Sequence, residues 1–164
     1  MQYMALAPAQ RDALLGTLED MPHYLERELG TLDPGRSRQQ GPDGAFSPVE
    51  QVWHLADLER EGFGRRIEQL LSEREPQLPD FDGAAIAAAR HYRARSLTAG
   101  LASFRAARQE NLAKLRTVAS QDWNRSGQQE GVGRVSLCDM PSFMSQHDAA
   151  HRAEIVAWKA LLAR

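Results

Sequence analysis

Two histidines stand four residues apart in the stretch Gln146-His147-Asp148-Ala149-Ala150-His151. Apolar residues recur at helical spacing on both sides of it, which predicts a helix over 139–163 with both histidines on its inner face. Residues four apart on a helix share a face, about 6 Å apart at Cβ, so both rings can reach one metal ion. Two core histidines that hydrogen-bond to buried neighbours are the alternative interpretation.

A third histidine, His54, lies far upstream in a segment that predicts a helix over 48–74. By helical geometry His54 lies to one side of the apolar stripe, on the side that also carries Glu50, Asp57 and Glu61. The geometry leaves two interpretations open. His54 is either a solvated histidine on a charged face or a metal ligand at the edge of a polar cleft, with a carboxylate nearby.

Two further segments show helical spacing of apolar residues, so the sequence predicts an all-α fold with almost no sheet. Pro22 should kink or divide the first helix, because it removes a backbone donor. In the third helix, Arg105, Arg108 and Lys114 are predicted to point outward. The four predicted helices cover 8–29, 48–74, 97–119 and 139–163.

The connections carry turn signals rather than binding motifs. Asp80-Phe81-Asp82-Gly83 is predicted to be a turn, because the later glutamate of a calcium loop is missing. Gly131-Val132-Gly133 follows no predicted strand, which favours turns or a short hairpin over a phosphate-binding loop. Cys138 is predicted to be a buried, inert thiol.

The composition is that of a soluble globular protein: 164 residues, of which 42% are hydrophobic and 26% charged. We expect one domain over 1–164. A formal net charge of −2 gives no basic excess that would make nucleic acid the main partner. The sequence shows neither a leader nor an apolar run long enough for a membrane, and it has one cysteine, so we expect a cytoplasmic protein.

Taken together, these motifs resemble the DinB-like superfamily, a group of metal-binding proteins that includes YfiT-like proteins and the mycothiol-dependent maleylpyruvate isomerase. The stretches that carry the resemblance are Phe46-Ser47-Pro48-Val49-Glu50-Gln51-Val52-Trp53-His54-Leu55-Ala56-Asp57 and His147-Asp148-Ala149-Ala150-His151. Supporting stretches lie at 80–83, 104–112, 122–123 and 131–134. The resemblance therefore covers nearly the whole chain.

The resemblance implies a four-helix bundle with a long crossover connection that holds one divalent metal. Carried over by motif, the metal ligands are His54, His147 and His151. Three histidines leave a coordination position open, and all-nitrogen ligation suits zinc or nickel, with iron or manganese as alternatives. Glu50 and Asp57 are the candidate catalytic residues, either as a base or as partners that orient His54.

Two functions are compatible with this resemblance. The first is a metal-dependent enzyme of thiol-transferase or hydrolase type that acts on a small molecule, with a low-molecular-weight thiol as cofactor in the transferase case. Arg65, Arg93 and Arg105 are candidates to hold a carboxylate of that thiol or substrate. The second is a non-catalytic metal- or ligand-binding stress-response protein. The family also implies a homodimer, which the three tryptophans support because Trp anchors interfaces as well as cores.

Overall fold

The protein is described here from a computed structural model that covers residues 6–163. The α-helices are α1 Pro8–Leu18, α2 Asp20–Leu29, α3 Pro34–Ser37, α4 Pro48–Asp57, α5 Arg65–Ser72, α6 Gly83–Ala89, α7 Leu97–Arg116 and α8 Met140–Leu162. A π-helical turn, Leu58–Gly64, joins α4 to α5. The strands are β1 Gln77–Leu78, β2 Ser126–Gln129 and β3 Gly133–Ser136. Short 3-10 turns occupy Pro42–Gly44, Tyr92–Ala94, Ser120–Asn124 and Leu137–Asp139.

Four long helical segments pack side by side, which confirms the predicted all-α bundle. They are α1 with α2, α4 with α5, α7 and α8; α4 and α2 both pack against α7, and α1 packs against α8. Long connections over 30–47, 73–96 and 117–139 join these segments. None of the helices in the described part of the chain is long and apolar enough to cross a membrane.

The first helix divides near Pro22, as predicted, but the break lies earlier, at Glu19. Pro22 has no N–H to donate to the carbonyl oxygen four residues before it, that of Leu18. This oxygen instead accepts a hydrogen bond of 3.0 Å from Nη1 of Arg108 on α7. The proline therefore frees a backbone acceptor that a buried arginine uses.

The second helix is not the continuous α-helix that its sequence predicts. Its π-helical turn takes up one extra residue per turn, a geometry frequently found at functional sites. Nδ2 of Asn111 donates to the backbone oxygen of Glu59 in this turn at 2.7 Å. A Cβ at Gly64 would lie 2.9 Å from Oδ1 of Asn111, so the glycine permits this close approach of α7.

The connections between the helices contribute a small three-stranded sheet with the strand order β1-β2-β3. β2 and β3 form an antiparallel hairpin in which Gly131 in the turn and Gly133 at the start of β3 have positive φ, so the hairpin alternative is confirmed. β1 pairs parallel to β2, with Gln77 opposite Gln128. This pairing was not predicted, because a strand of two residues has no periodicity to detect.

Buried apolar side chains form two clusters along the bundle. The first includes Phe63, Leu115, Met144 and Cys138, and the second includes Leu25, Trp53, Phe104 and Ile155. The prediction of a buried thiol is therefore confirmed, since Cys138 is 3% exposed. Along α8, His147 and His151 lie between Met144 of the first cluster and Ile155 of the second. The histidines thus occupy the polar boundary between two apolar cores.

Candidate metal centre

The structure brings together the three histidines that were predicted as ligands. Nε2 of His54 on α4 lies 3.3 Å from Nε2 of His147, which lies 3.1 Å from Nε2 of His151. All three ring nitrogens lie within 4.8 Å of one another. Two nitrogens bound to one zinc ion at about 2.1 Å, with tetrahedral angles, lie about 3.4 Å apart. The spacing of these side chains therefore fits a single divalent ion.

The protonation of the rings also suits a metal. Burial first, and the ring of His151 second, lower the pKa of His54 to about 4 and that of His147 to about 3. Both rings are therefore neutral near pH 7 and present lone pairs. Nδ1 of His151 lies against Oε1 of Gln51. When this Nδ1–H donates to the amide oxygen, the lone pair of Nε2 faces the other two rings.

His151 is held by a polar pair that the sequence did not single out. Oε2 of Glu154 lies 3.4 Å from Nδ1 of His151 and accepts a hydrogen bond of 2.5 Å from Nε2 of Gln51. These hydrogen bonds, that of His151 first, lower the pKa of Glu154 to about 2. A signal was present: Gln51 precedes His54 by three residues and Glu154 follows His151 by three, a spacing that shares a helix face.

The ring of His54 is positioned by packing rather than by a hydrogen bond. Its Nδ1 is buried and has no partner among residues 6–163. Phe46 and Phe81 flank the ring at centroid distances of 5.5 and 6.0 Å. A Cβ at Gly83 would lie 2.5 Å from Cε1 and 2.7 Å from Nδ1 of His54. The segment 80–83 was predicted to be a turn but leads directly into α6, which Asp82 caps, and Gly83 at the first position of this helix makes room for the ring.

Residues 17–155 match the family model of the DinB superfamily. The chain belongs to the DinB superfamily. Among solved structures, it is similar to YfiT from Bacillus subtilis, described as "a probable metal-dependent hydrolase with an unusual four-helix bundle topology". The likeness has a TM-score of 0.90 at 20% sequence identity, and it covers 99% of this chain and 93% of that one. No functionally curated protein matches the sequence.

The two predicted catalytic carboxylates of this DinB-superfamily chain have other partners. Glu50 accepts hydrogen bonds from the backbone N–H and hydroxyl of Ser47, at 2.8 and 2.7 Å, and so caps α4. Asp57 accepts from Arg90 and from the hydroxyl of Tyr92. No hydrogen bond joins either carboxylate to His54 within residues 6–163. Their role as bases stays a prediction, and neither holds the His54 ring.

The arginine that lines the pocket beside the histidines is one that the sequence did not single out. A pocket of about 410 Å³ opens beside His54 and His147 and includes Arg66. The three predicted arginines lie elsewhere. Arg65 is exposed, Arg93 lies 3.2 Å from Glu50, and Arg105 lies 3.7 Å from Glu26.

A buried ion-pair cluster lies behind the histidines, and it corrects the prediction that Arg108 points outward. Arg108 is 1% exposed. Its guanidinium donates to both carboxylate oxygens of Glu59, at 2.9 and 3.0 Å, and to both of Asp148, at 2.7 and 2.8 Å. Asp148 neighbours His147, and Glu59 lies in the π-helical turn. Arg108 therefore ties α8, which carries His147 and His151, to the π-helical turn that follows the helix of His54.

Proposed function

We propose that this DinB-superfamily protein binds one divalent metal ion per chain through His54, His147 and His151 and is a metal-dependent enzyme of thiol-transferase or hydrolase type acting on a small molecule. The observation that carries the proposal is the convergence of three histidine ring nitrogens beside a pocket. YfiT, which shares the fold, is itself described as a probable metal-dependent hydrolase.

The chain's own residues have distinct roles in this proposal. Gln51 and Glu154 hold His151 with its Nε2 toward the centre, and Gly83 leaves space for the ring of His54. Apolar side chains of the pocket, such as Phe63 and Phe81, exclude bulk water from a bound small molecule. His54, His147 and His151 would hold a divalent ion, and that ion would supply Lewis acidity for the activation of water or a thiol. All-nitrogen ligation suits zinc or nickel, with iron or manganese as alternatives.

The coordination set favours the enzyme over a metal that only staples the bundle. Among residues 6–163, no fourth His, Cys, Asp or Glu joins the group of three histidines. Structural zinc sites are closed by four protein ligands, whereas catalytic sites keep a position open. The non-catalytic stress-response protein stays the alternative. It would require the pocket beside His54 and His147 to take no substrate.

The extent of the domain, the location of the protein and the absence of a nucleic-acid partner are also proposals. We propose that residues 1–164 form one DinB-like domain; the family match covers 17–155, and residues 1–5 and 164 lie outside the described part. A cytoplasmic location and the absence of a nucleic-acid partner stay predictions from the sequence.

Cobalt substitution tests the enzyme class. Low-molecular-weight thiols are titrated into cobalt-loaded protein, and the thiolate-to-cobalt charge-transfer band is recorded; a panel of esters and amides is assayed in parallel. A thiol-transferase gives the charge-transfer band, and a hydrolase turns over a member of the panel. The His147→Ala/His151→Ala variant is the control. If wild-type protein gives neither signal above that variant, the non-catalytic alternative is favoured.

A further inference from the structure

The pocket beside the histidines is mostly apolar, but one of its lining residues is an arginine, Arg66. Most of its lining is apolar, with Phe63, Phe81, Val132 and Phe143 around His54 and His147. A volume of about 410 Å³ lies within the range of small-molecule sites. Into this apolar surface the first turn of α5 places the guanidinium of Arg66.

Arg66 is buried but forms no ion pair among residues 6–163, although Asp80 lines the same pocket. Its side chain is 6% exposed, and its one hydrogen bond runs from Nη2 to the backbone oxygen of Pro79 at 3.1 Å. Nε is buried with no partner, and within residues 6–163 no carboxylate forms an ion pair with this guanidinium. Burial lowers the pKa of Arg66, while the charge of Asp80 on the same pocket raises it. The centroid of the Phe63 ring, at 5.9 Å, lies at the outer limit of a cation–π contact.

Arg108 shows how this protein treats a buried guanidinium that serves the fold. Two carboxylates and a backbone oxygen accept its hydrogen bonds. A buried charge without such partners costs stability, and side chains that break this rule concentrate at functional sites. The different surroundings of the two arginines indicate that the partner of Arg66 comes from outside the chain.

We propose that the pocket binds a small organic acid, with its carboxylate on Arg66 and its apolar body against the phenyl rings of Phe63, Phe81 and Phe143. This deepens the proposed function and rests on it, because the histidine centre then faces the part of the acid that reacts. Guanidinium pairs with carboxylates through parallel N–H donors, and within residues 6–163 the bond from Nη2 to Pro79 is the one hydrogen bond of this guanidinium, which leaves further N–H donors for a carboxylate.

The test compares acids with their neutral amides by titration calorimetry. The probes are benzoate, phenylacetate and hydrocinnamate, each paired with its amide, on metal-free and zinc-loaded protein. Wild-type protein should bind at least one acid about tenfold or more tightly than its amide, since a hydrogen bond to a charged group is worth that factor. Arg66→Gln should abolish the preference. Arg65→Gln, which removes the same charge from the exposed neighbouring position, should keep it.

The arms separate this inference from the proposed function. Metal content measured on Arg66→Gln should equal that of wild type, since Arg66 is not a ligand. If Arg66→Gln still prefers acids to amides, or if the preference appears only with zinc and does not depend on Arg66, the anion binds the metal. Either result would overturn the inference. The wild-type comparison stands even if Arg66→Gln fails to fold: if no acid binds better than its amide, the inference is wrong. If wild-type protein binds no metal but metal-free protein still prefers acids to amides, only the metal proposal is contradicted.

Discussion

A residue without a side chain sets the position of one of the three clustered histidines, His54. Gly83 faces the ring of His54 so closely that a Cβ would lie 2.5 Å from Cε1. Gly83→Ala should therefore displace the ring and weaken zinc binding about tenfold or more, the size of effect seen when ligand orientation is lost. The φ angle at Gly83 lies outside the left-handed region, so backbone strain does not confuse the result.

Gly16→Ala is the matched control for this measurement. Gly16 lies in α1, and a Cβ there would meet no atom within 4 Å. This variant should keep wild-type zinc affinity and gain up to about 1 kcal/mol of stability from better helix propensity. Competitive titration with a chromophoric chelator measures both affinities. Equal affinities of Gly83→Ala and wild type would show that the ring is not confined by this contact.

The buried rings also predict a pH dependence for the metal-free protein. The pKa of His54, about 4, and of His147, about 3, lie below the ordinary value of 6.5. The unfolded chain therefore binds more protons than the folded chain between these values. The stabilisation from keeping both rings neutral is fully present above about pH 6.5 and is lost as the pH falls toward about 4.

Urea unfolding of metal-free protein between about pH 7.5 and about pH 5 measures this loss, since carboxylates titrate little there. The free energy of unfolding should fall with pH in wild type and fall less steeply in His147→Phe, which has one titrating ring fewer. Identical slopes in the two proteins would contradict the assignment of a depressed pKa to His147.

Helical spacing in the sequence predicted the placement of two of the three clustered histidines. The spacing of His147 and His151 was sufficient to place them on one inner face. His54 could not be assigned from helix geometry, because stripe analysis assumes that a helix has one apolar face and one solvated face. α4 is buried nearly all round: α6 and the turn at Tyr92–Ala94 cover its polar side. That cover supplies Arg90 and Tyr92, which bond Asp57.

At the scale of elements, the π-helical turn, α7 and α8 meet at Arg108. Replacing Arg108 by Met would leave Glu59 and Asp148 buried without their cation, which should cost about 3–5 kcal/mol of stability. Arg105→Met is the control, because Arg105 lies on the same helix with its side chain 45% exposed. Its ion pair with Glu26 should contribute less than about 1 kcal/mol.

Urea denaturation of both variants gives the two free energies. A loss below about 1 kcal/mol for Arg108→Met would show that the cluster does not tie the elements together. The burial of Arg108 could not be predicted from spacing along α7, since its partners come from three other segments. One of them, the carbonyl of Leu18, is available only because Pro22 leaves it without a backbone donor.

At the scale of the whole molecule, the bundle was predicted well because three of its helices carry regular apolar stripes. The small sheet was only half predicted, since β1 depends on a pairing between segments far apart in sequence. The tryptophans no longer support an interface. Trp53, Trp123 and Trp158 are 8%, 5% and 2% exposed and belong to the core.

The homodimer stays a prediction that rests on the family resemblance. Light scattering coupled to size-exclusion chromatography at micromolar concentration should give twice the chain mass of 18.3 kDa. A measured mass of one chain would exclude the dimer and leave the metal site unaffected, because all three histidines come from one chain.

Elemental analysis of metal per chain is the direct test of whether His54, His147 and His151 hold one divalent ion. Untagged protein, purified without a metal-affinity column, is stripped with a chelator, reloaded with zinc and freed of excess ion. We predict one equivalent of metal per chain for wild type and almost none for the His147→Ala/His151→Ala variant, with circular dichroism showing that both are helical. One equivalent of metal per chain in the folded double variant would show that these histidines do not hold the ion.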